Sequence, residues 1–374
     1  MAASVGSRTE QMKLAVCIIT YQRQEGLKRL LEGLNNLAFE KCKAPALEVI
    51  VVDNDATGSA RKFCEETRLD SSWSLKYFIE PRRGIPYARN KAVACAQEGH
   101  PDFIAFIDDD EVPERSWLDE LLSVQQSYRA DVVAGPVLPY FTGPVAPWVT
   151  QGKFFHRRRM PTGTTIEWAG TGNVLVRSEV FEKMGEILGE IFDERLALSG
   201  GEDERFFRQV HSFGYKLVWA QEALAYEWLP KSRANARWLL RRAYRSGNNY
   251  SRFIATLGPT GFDVEPSIAA RANRAWQVTK RTIKELLELR RSLVIRRHGR
   301  PFVTFKPRSE VERSESIDDN RFVVRLRADI RFVAHVNPRR DKFVRGLLRV
   351  SYNVGMLTGL VGVGYKEYRR THRV

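Results

Sequence analysis

Phe103-Ile104-Ala105-Phe106-Ile107-Asp108-Asp109-Asp110-Glu111 is an apolar run that ends in four consecutive acids. Five apolar residues without alternation suit a strand buried on both faces of a sheet. Carboxylates gathered at the mouth of such a strand repel one another unless something cationic shares the place. A divalent metal is the natural guest, because hard cations take oxygen ligands and Mg²⁺ combines few protein carboxylates with phosphate oxygens. A solvated acidic turn is the plainer alternative, and it would be favoured for an isolated triplet. The neighbouring segments tip the balance toward function.

Outward from this strand the first half of the chain alternates strands and helices. Leu14–Thr20 reads as a strand, followed by Leu27, Leu30, Leu31, Leu34 and Leu37 at helical spacing. Leu47–Val52 is a second strand, ending in Asp53-Asn54-Asp55. Ala60–Arg68 is helical, Leu75–Ile79 a third strand, Ile85–Gln97 a helix and Trp117–Tyr128 another. Such βαβα order predicts an α/β fold with a mostly parallel sheet and helices on both faces. Ligands of these sheets sit at the carboxyl ends of the strands, the edge that holds Asp53 and Asp108 to Asp110. Further on, Asp131–Pro136, Asn173–Arg177 and Lys216–Ala220 read as strands, and residues 140–166 as a loop excursion. Helices are predicted near Ser178–Met184 and from Gly200-Gly201-Glu202-Asp203 to about Phe213.

From about Pro230 the character changes. Arg237–Ser246 and Ala269–Arg297 read as basic amphipathic helices. Residues 300–320 read as linker, Phe322–Arg331 as strand or helix, and Lys342–Tyr368 as an apolar and basic mix. The predicted organisation is a disordered tail over 1–12, a catalytic domain over 13–230, and a basic, mainly helical extension over 231–374. The net charge of +15 is distributed unevenly. Residues 230–374 carry 33 Lys/Arg against 12 Asp/Glu, a net of +21, whereas residues 1–229 carry 27 against 33, a net of −6. A polyanionic partner is expected for the basic part: an anionic membrane, nucleic acid or a charged glycan. No nucleic-acid motif accompanies it, which favours an anionic membrane surface over nucleic acid. A solvated basic surface without a partner is the alternative.

The 43% hydrophobic residues among 374 support a real core. Cys17, Cys42, Cys64 and Cys95 form no CxxC pair, so a reduced, cytoplasmic setting is expected and a zinc site is not. No signal peptide is read at the start, and no stretch reaches the roughly eighteen apolar residues that span a bilayer.

Six segments carry the chemistry, in order: Val16 to Arg23, Val49 to Asp55, Gly84-Ile85-Pro86-Tyr87-Ala88-Arg89-Asn90, the acidic strand end, Gly170-Thr171-Gly172-Asn173, and Gly200 to Glu204. Together they resemble the family 2 glycosyltransferases, and within them the bacterial exopolysaccharide type of succinoglycan biosynthesis. The resemblance covers roughly residues 13–250. It implies the GT-A fold, an inverting mechanism, a nucleotide-sugar donor, expected to be a UDP-hexose, and a divalent metal, Mn²⁺ or Mg²⁺. It also implies transfer of a single sugar to a saccharide acceptor, which a polyprenyl carrier would hold at the inner face of the cell membrane.

A nucleotide-sugar presents a flat base, a ribose and a diphosphate. Thr20 offers a hydroxyl to it. Tyr21 is suited to stack on the base, worth about 1–3 kcal/mol by analogy with other base–aromatic stacks, or else caps the strand in solvent. Asp53 would accept from the base's ring N–H. Arg89 would reach base or phosphate, or pair with an acid such as Asp53. By the resemblance, Asp108 meets ribose and sugar, Asp109 fills the variable middle position among the donor-binding residues, and Asp110 binds the metal. Glu111 is an optional supporting group. Asp203 matches the base that deprotonates the acceptor hydroxyl, its neighbours Glu202 and Glu204 being like charges that favour its protonated form. The alternative makes all three ordinary acids of a helix's first turn. Glu202 is an acceptor-side candidate. Asn173 would bind sugar hydroxyls on the donor, and Trp168 is either a stacking platform for the acceptor or a core residue.

The Gln-X-X-Arg-Trp signature of processive relatives is missing. In its place stands Trp238-Leu239-Leu240-Arg241-Arg242, where Arg241 or Arg242 would clamp the diphosphate. Where many relatives carry a histidine metal ligand, Tyr226-Glu227-Trp228 offers Glu227. The rival from another class is a catalytically silent nucleotide-sugar or glycan-binding protein.

Overall fold

A computed structural model describes residues 11–69, 73–157, 159–197, 199–256, 268–293, 303–305, 321–326, 330–335 and 341–360. Residues 1–10 of the expected tail lie outside the described residues.

The elements run β1 (Lys13–Thr20), α1 (Gln24–Asn35), β2 (Ala46–Asp53), α2 (Arg61–Glu66), β3 (Ser74–Ile79), α3 (Ile85–Gln97), β4 (Phe103–Ile107), β5 (Glu111–Pro113), α4 (Trp117–Tyr128), β6 (Val132–Ala134) and β7 (Val137–Phe141). There follow α5 (Pro147–Gln151), β8 (Asn173–Arg177), α6 (Ser178–Leu188), α7 (Glu202–Ser212), β9 (Leu217–Trp219) and β10 (Ala225–Leu229). The chain continues with α8 (Ala236–Thr256), α9 (Ile268–Leu293), β11 (Val303–Phe305), β12 (Arg321–Leu326), β13 (Ile330–His335) and α10 (Asp341–Leu360).

The central sheet has the order β3-β2-β1-β4-β8-β6-β9. All neighbours are parallel except β8, which runs against both β4 and β6. Alternate side chains of each strand feed two cores. Leu14, Val16, Ile18, Val49 and Val51 pack with Leu27, Leu30 and Leu31 of α1 and with Trp117 and Leu121 of α4. Ala15, Cys17, Ile50 and Val52 pack with Ala92 and Val93 of α3, Phe181 of α6 and Phe206 of α7. Covering both faces explains why the strands read as unbroken apolar runs. This is the α/β architecture that the resemblance implies. The four cysteines are unbonded.

Register places the functional edge. Leu14 lies beside Leu47 and Thr20 beside Asp53, while Cys17 lies beside Phe106. Continuing that register brings Thr20 level with Asp109. On the other side of β4, Ile107 pairs with Asn173. The Gly170-Thr171-Gly172 turn that enters β8 therefore lies alongside the acids that leave β4.

The chain forms two compact units: residues 1–140 with 157–228, and residues 141–156 with 229–374. The segment 141–156, expected as an excursion of the catalytic domain, belongs to the second unit. There it builds a small aromatic core, with Phe155 stacked on Trp238 at 5.6 Å and Val149 buried beside Leu229 and Leu239. The C-terminal region is helical in α8, α9 and α10, and it also holds a three-stranded antiparallel sheet, β11-β13-β12. The undecided stretch Phe322–Arg331 thus falls across β12 and the start of β13.

In that unit α8 and α10 approach at glycines. A Cβ on Gly247 would collide with the Tyr352 carbonyl, and one on Gly355 with the Tyr244 carbonyl. Polar side chains use the closeness. Asn248 donates to Gly355 O at 3.3 Å and Thr358 Oγ1 at 3.0 Å, and Ser351 donates to Leu240 O at 2.9 Å. Gly355→Ala has to part the helices, with an expected loss of about 1–3 kcal/mol read as a lowered urea midpoint; an unchanged midpoint contradicts this packing. Among the described residues no helix is long and apolar enough to cross a membrane. The same three helices border a hollow of about 600 Å³ lined by Arg281, Lys284 and Arg349 and also by Glu285 and Glu288. Its mixed charge selects no single ligand class.

Candidate active site

The site is built on strand ends of the first unit. At the end of β1, the Thr20 hydroxyl donates to Asp109 Oδ2 at 2.9 Å. Arg23 Nη1 donates to Asp109 Oδ1 at 2.8 Å and to Asp110 Oδ2 at 3.1 Å. Arg23 was given no role in the sequence reading. Only the pairing of β1 with β4 reveals that it faces the acids. Burial pushes the Asp109 carboxyl up to about 6, against the pull of Arg23 and Thr20. Asp109 is 5% exposed. Thr20 and Asp109, expected at the donor, are therefore turned onto each other. Their hydrogen bond ties β1 to β4 at the edge where the acids leave the sheet.

Asp53 is held from several sides. Its carboxylate is buried and accepts from Asp55 N at 3.0 Å, Ala60 N at 2.8 Å, the Ser59 hydroxyl at 3.3 Å and the Tyr77 hydroxyl at 2.9 Å. It holds the turn after β2 through these four donors. Next to it, Asn54 donates to Glu80 O and Arg82 O and accepts from Gly84 N at 2.9 Å. Asn54 thereby fixes the loop entering α3. Gly84 has φ 151°, and a Cβ there would sit 2.6 Å from that of Ala197, so glycine is required. Tyr21 lies at the end of β1 with the Arg83 guanidinium 5.3 Å from its ring centroid.

Arg89, on the first turns of α3, is buried between two acids. It donates to Glu202 through Nη1, and its Nη2 lies 3.4 Å from Asp108 Oδ1. The pairing with Asp53 does not form. Glu202, expected on the acceptor side, is 2% exposed and faces Arg89. Burial, with Asp203 adding to it and Arg89 opposing, pushes the Glu202 carboxyl up to about 7. Arg89→Met strands a buried carboxylate and should lower stability by about 3–5 kcal/mol. The double variant with Glu202→Gln should recover much of it in urea denaturation. Equal losses in single and double variants would contradict the pairing.

Asp108 sits where these groups meet. Burial raises its carboxyl, Arg89 lowers it, and the charges of Asp110 and Asp203 raise it further. Beneath it Glu111 is fully buried, accepts from Asp108 N at 3.2 Å and is pushed well above the usual carboxylate range by burial and by Asp108. A Cβ on Gly172 would lie 2.6 Å from Glu111 Oε1, and one on Gly170 3.5 Å from Asp203 Oδ2. The bare Gly170-Thr171-Gly172 turn thus separates Glu111 from Asp203. Asp203, half-buried at the start of α7, accepts from Glu204 N at 2.8 Å. Trp168 is 49% exposed, which removes the core alternative for it.

Asn173, expected at the donor, is 3% exposed. Its Oδ1 accepts from Trp117 Nε1 at 2.7 Å, and its Nδ2 donates to Pro136 O at 3.0 Å and Ala223 O at 2.7 Å. A buried amide with these partners secures the sheet. Arg241 and Arg242 belong to α8 in the second unit, where Arg242 lies over Phe155 and Trp238 at 5.7 and 5.4 Å.

Glu227 lies opposite Glu111 in the β5–β10 pair, with a carboxylate oxygen 3.6 Å from Arg157. Among the described residues no three His, Cys, Asp or Glu side chains gather as a ready metal cage. The donor set still suits a hard divalent cation. Asp108 and Asp110 have side chains 39% and 21% exposed at the strand end, and Mg²⁺-type sites combine one or two carboxylates with phosphate and water.

Comparison with known proteins agrees with the motif order. The profile described as Glycosyl transferase family 2 matches residues 15–185. The chain is 35% identical over 248 residues to the Succinoglycan biosynthesis protein ExoM of Rhizobium meliloti, covering 66% of this chain and 76% of that protein. It is 25% identical over 216 residues to the Glycosyltransferase AglE of Haloferax volcanii, covering 56% and 65%. Among solved structures, S. aureus TarS in complex with UDP-GlcNAc aligns with a TM-score of 0.45 at 19% identity, over 65% of this chain and 71% of that one. The mannosyltransferase PcManGT from Pyrobaculum calidifontis in complex with GDP-Man and Mn²⁺ aligns with 0.46 at 19%, over 66% and 65%. The profile match, and a relative 35% identical that the chain spans over three quarters of its length, carry the conclusion: this protein belongs to glycosyltransferase family 2.

Proposed function

We propose that this glycosyltransferase moves one hexose from a UDP-hexose to a saccharide acceptor, with inversion at the anomeric carbon, in exopolysaccharide synthesis. The observation that carries the reading is the convergence of three acids from two elements. Asp108 and Asp110 leave β4, Asp203 opens α7, and Asp108 feels the charge of both others.

In this reading Asp110 and Asp108 hold a divalent metal, Mn²⁺ or Mg²⁺, with Glu227 as a further oxygen donor. When bound, the metal supplies Lewis-acid stabilisation of the leaving diphosphate. Arg23 fixes Asp110, and Arg89 fixes Asp108, so neither carboxylate has to reorganise when the donor arrives. Tyr21 and Arg83 flank the base. The glycine turn at 170–172 admits the sugar, and Trp168 offers its exposed face to the acceptor. Asp203 takes the proton of the acceptor hydroxyl as that oxygen bonds to the anomeric carbon and the bond to the diphosphate breaks. The acceptor is carried on a polyprenyl phosphate, and the enzyme works from the cytoplasmic face of the membrane. The excess of positive charge in residues 230–374 supports that location.

The test is a donor screen by thermal shift across UDP-, GDP- and dTDP-hexoses with and without Mn²⁺, followed by hydrolysis and transfer assays with the best donor. Stabilisation by a UDP-hexose with turnover is expected. A protein that binds UDP but never turns over would instead be a silent binding protein.

A further inference from the structure

Helix α9 has two apolar stripes, and among the described residues only one is buried. Val278, Thr282 and Leu289 are buried, and Leu289 packs so closely on α10 that a Cβ on Gly346 would lie 2.6 Å from its Cδ2. A second stripe lies roughly 120° around the helix, at 3.6 residues per turn. It consists of Trp276, Ile283, Leu286 and Leu287, which are 57%, 51%, 44% and 50% exposed. Scattered surface apolar residues are ordinary, but an indole and three aliphatic side chains in one line form a patch.

The charges beside this patch select its partner. Lys280 lies on the same line, one turn after Trp276, with its ammonium 5.1 Å from the indole centroid. Lys284 follows one turn later and is exposed. Of the acids of this helix, Glu285 lies on the far side, paired with Arg349 at 3.3 Å, and Glu288 follows Lys284 by one turn, bordering the hollow that Arg281 and Arg349 also line. The patch thus presents Trp, Ile and Leu edged by Lys, in a region of net charge +21. A protein partner or a second copy would need a surface with matching acids. A bilayer with anionic headgroups supplies apolar depth and negative charge together.

We propose that the exposed stripe of α9, Trp276, Ile283, Leu286 and Leu287 edged by Lys280 and Lys284, is the surface by which this protein lies on an anionic membrane. The inference deepens the membrane location proposed above and rests on it. The helix lies in the interface rather than across it, because its opposite face is held by α10. The lysine stems run along the apolar surface while their ammonium groups reach phosphate.

Co-sedimentation of the full chain with vesicles of phosphatidylcholine alone, or of phosphatidylcholine with 30% phosphatidylglycerol, tests this (~30% anionic lipid approximates a charged leaflet). Wild type should bind the anionic vesicles, and binding should weaken with salt. The triple variant Trp276→Ser, Ile283→Ser, Leu287→Ser should bind at least about 10-fold more weakly, one decade being 1.4 kcal/mol. Lys280→Glu with Lys284→Glu should weaken anionic binding similarly without changing the melting temperature. UDP-hexose hydrolysis in solution should persist in both variants. Undiminished binding by both variants would overturn the α9 surface while leaving the membrane location standing. Wild type that ignores anionic vesicles would overturn both. Wild type that ignores vesicles but dimerises, with the triple variant monomeric, would assign the stripe to a second copy. Loss of hydrolysis in wild type would sink the catalytic reading alone.

Discussion

Asp203→Asn is expected to bind UDP-hexose as tightly as wild type and to transfer sugar about 10²–10⁴-fold more slowly, the usual contribution of a positioned base. The asymmetry follows from geometry. Asp203 stands at the start of α7, across the glycine turn from the buried Glu111, with one oxygen already held by Glu204 N. In the proposed mechanism it takes the acceptor's proton, and the amide keeps its size but cannot. Donor titration and single-turnover transfer measure the two effects separately. A variant with full turnover would remove Asp203 from the mechanism. One with weakened donor binding and proportionate loss of rate would make it a donor contact.

Asp110→Ala should be more severe, because it removes a proposed metal ligand and also the second partner of Arg23. Metal-dependent donor binding should vanish, and transfer should fall at least about 10³-fold, in line with the several kcal/mol a Lewis acid supplies. Stability should change little, since the Asp110 side chain is partly exposed and pairs with Arg23 at the surface. The checks are UDP titration with Mn²⁺ and the urea midpoint. An Asp110→Ala protein that still binds donor in a metal-dependent way would move the metal to Asp108 and Glu227.

The backbone was legible where apolar runs met clear stops. Ile85–Gln97, Phe103–Ile107, Trp117–Tyr128 and Asn173–Arg177 have the bounds that their patterns predicted. Glu98-Gly99 follows the first of these and Asp108-Asp109 the second, so that a breaker or a charged pair marks the stop. The second unit was harder to read. Segment 141–156 holds Phe141, Trp148, Phe154 and Phe155 among Pro and Gly, which looks like a loop until α8 provides a place to bury the rings.

Side-chain direction was the least legible property of the site. Asp53, Thr20, Asn173 and Glu202 all lie in segments of the right type. Yet Asp53 serves the amides of a tight turn, Thr20 serves Asp109, Asn173 serves Trp117 and two carbonyls, and Glu202 serves Arg89. Short polar side chains at strand ends compete for nearby backbone donors and acceptors, and a residue pattern does not record which competitor wins. Conversely, Arg23 and Asn54 lay inside quoted segments without an assigned role. What singles them out is the neighbouring strand across the sheet, a non-local fact.

The central claim is that the acids at the end of β4 hold a donor diphosphate through a divalent cation. Calorimetric titration of UDP into the full chain, with Mn²⁺ and then with EDTA, tests it most directly. Binding at least about 10-fold tighter with Mn²⁺, with the difference abolished in Asp110→Ala, is the expected result, a decade being 1.4 kcal/mol. Equal affinity in Mn²⁺ and EDTA would contradict it.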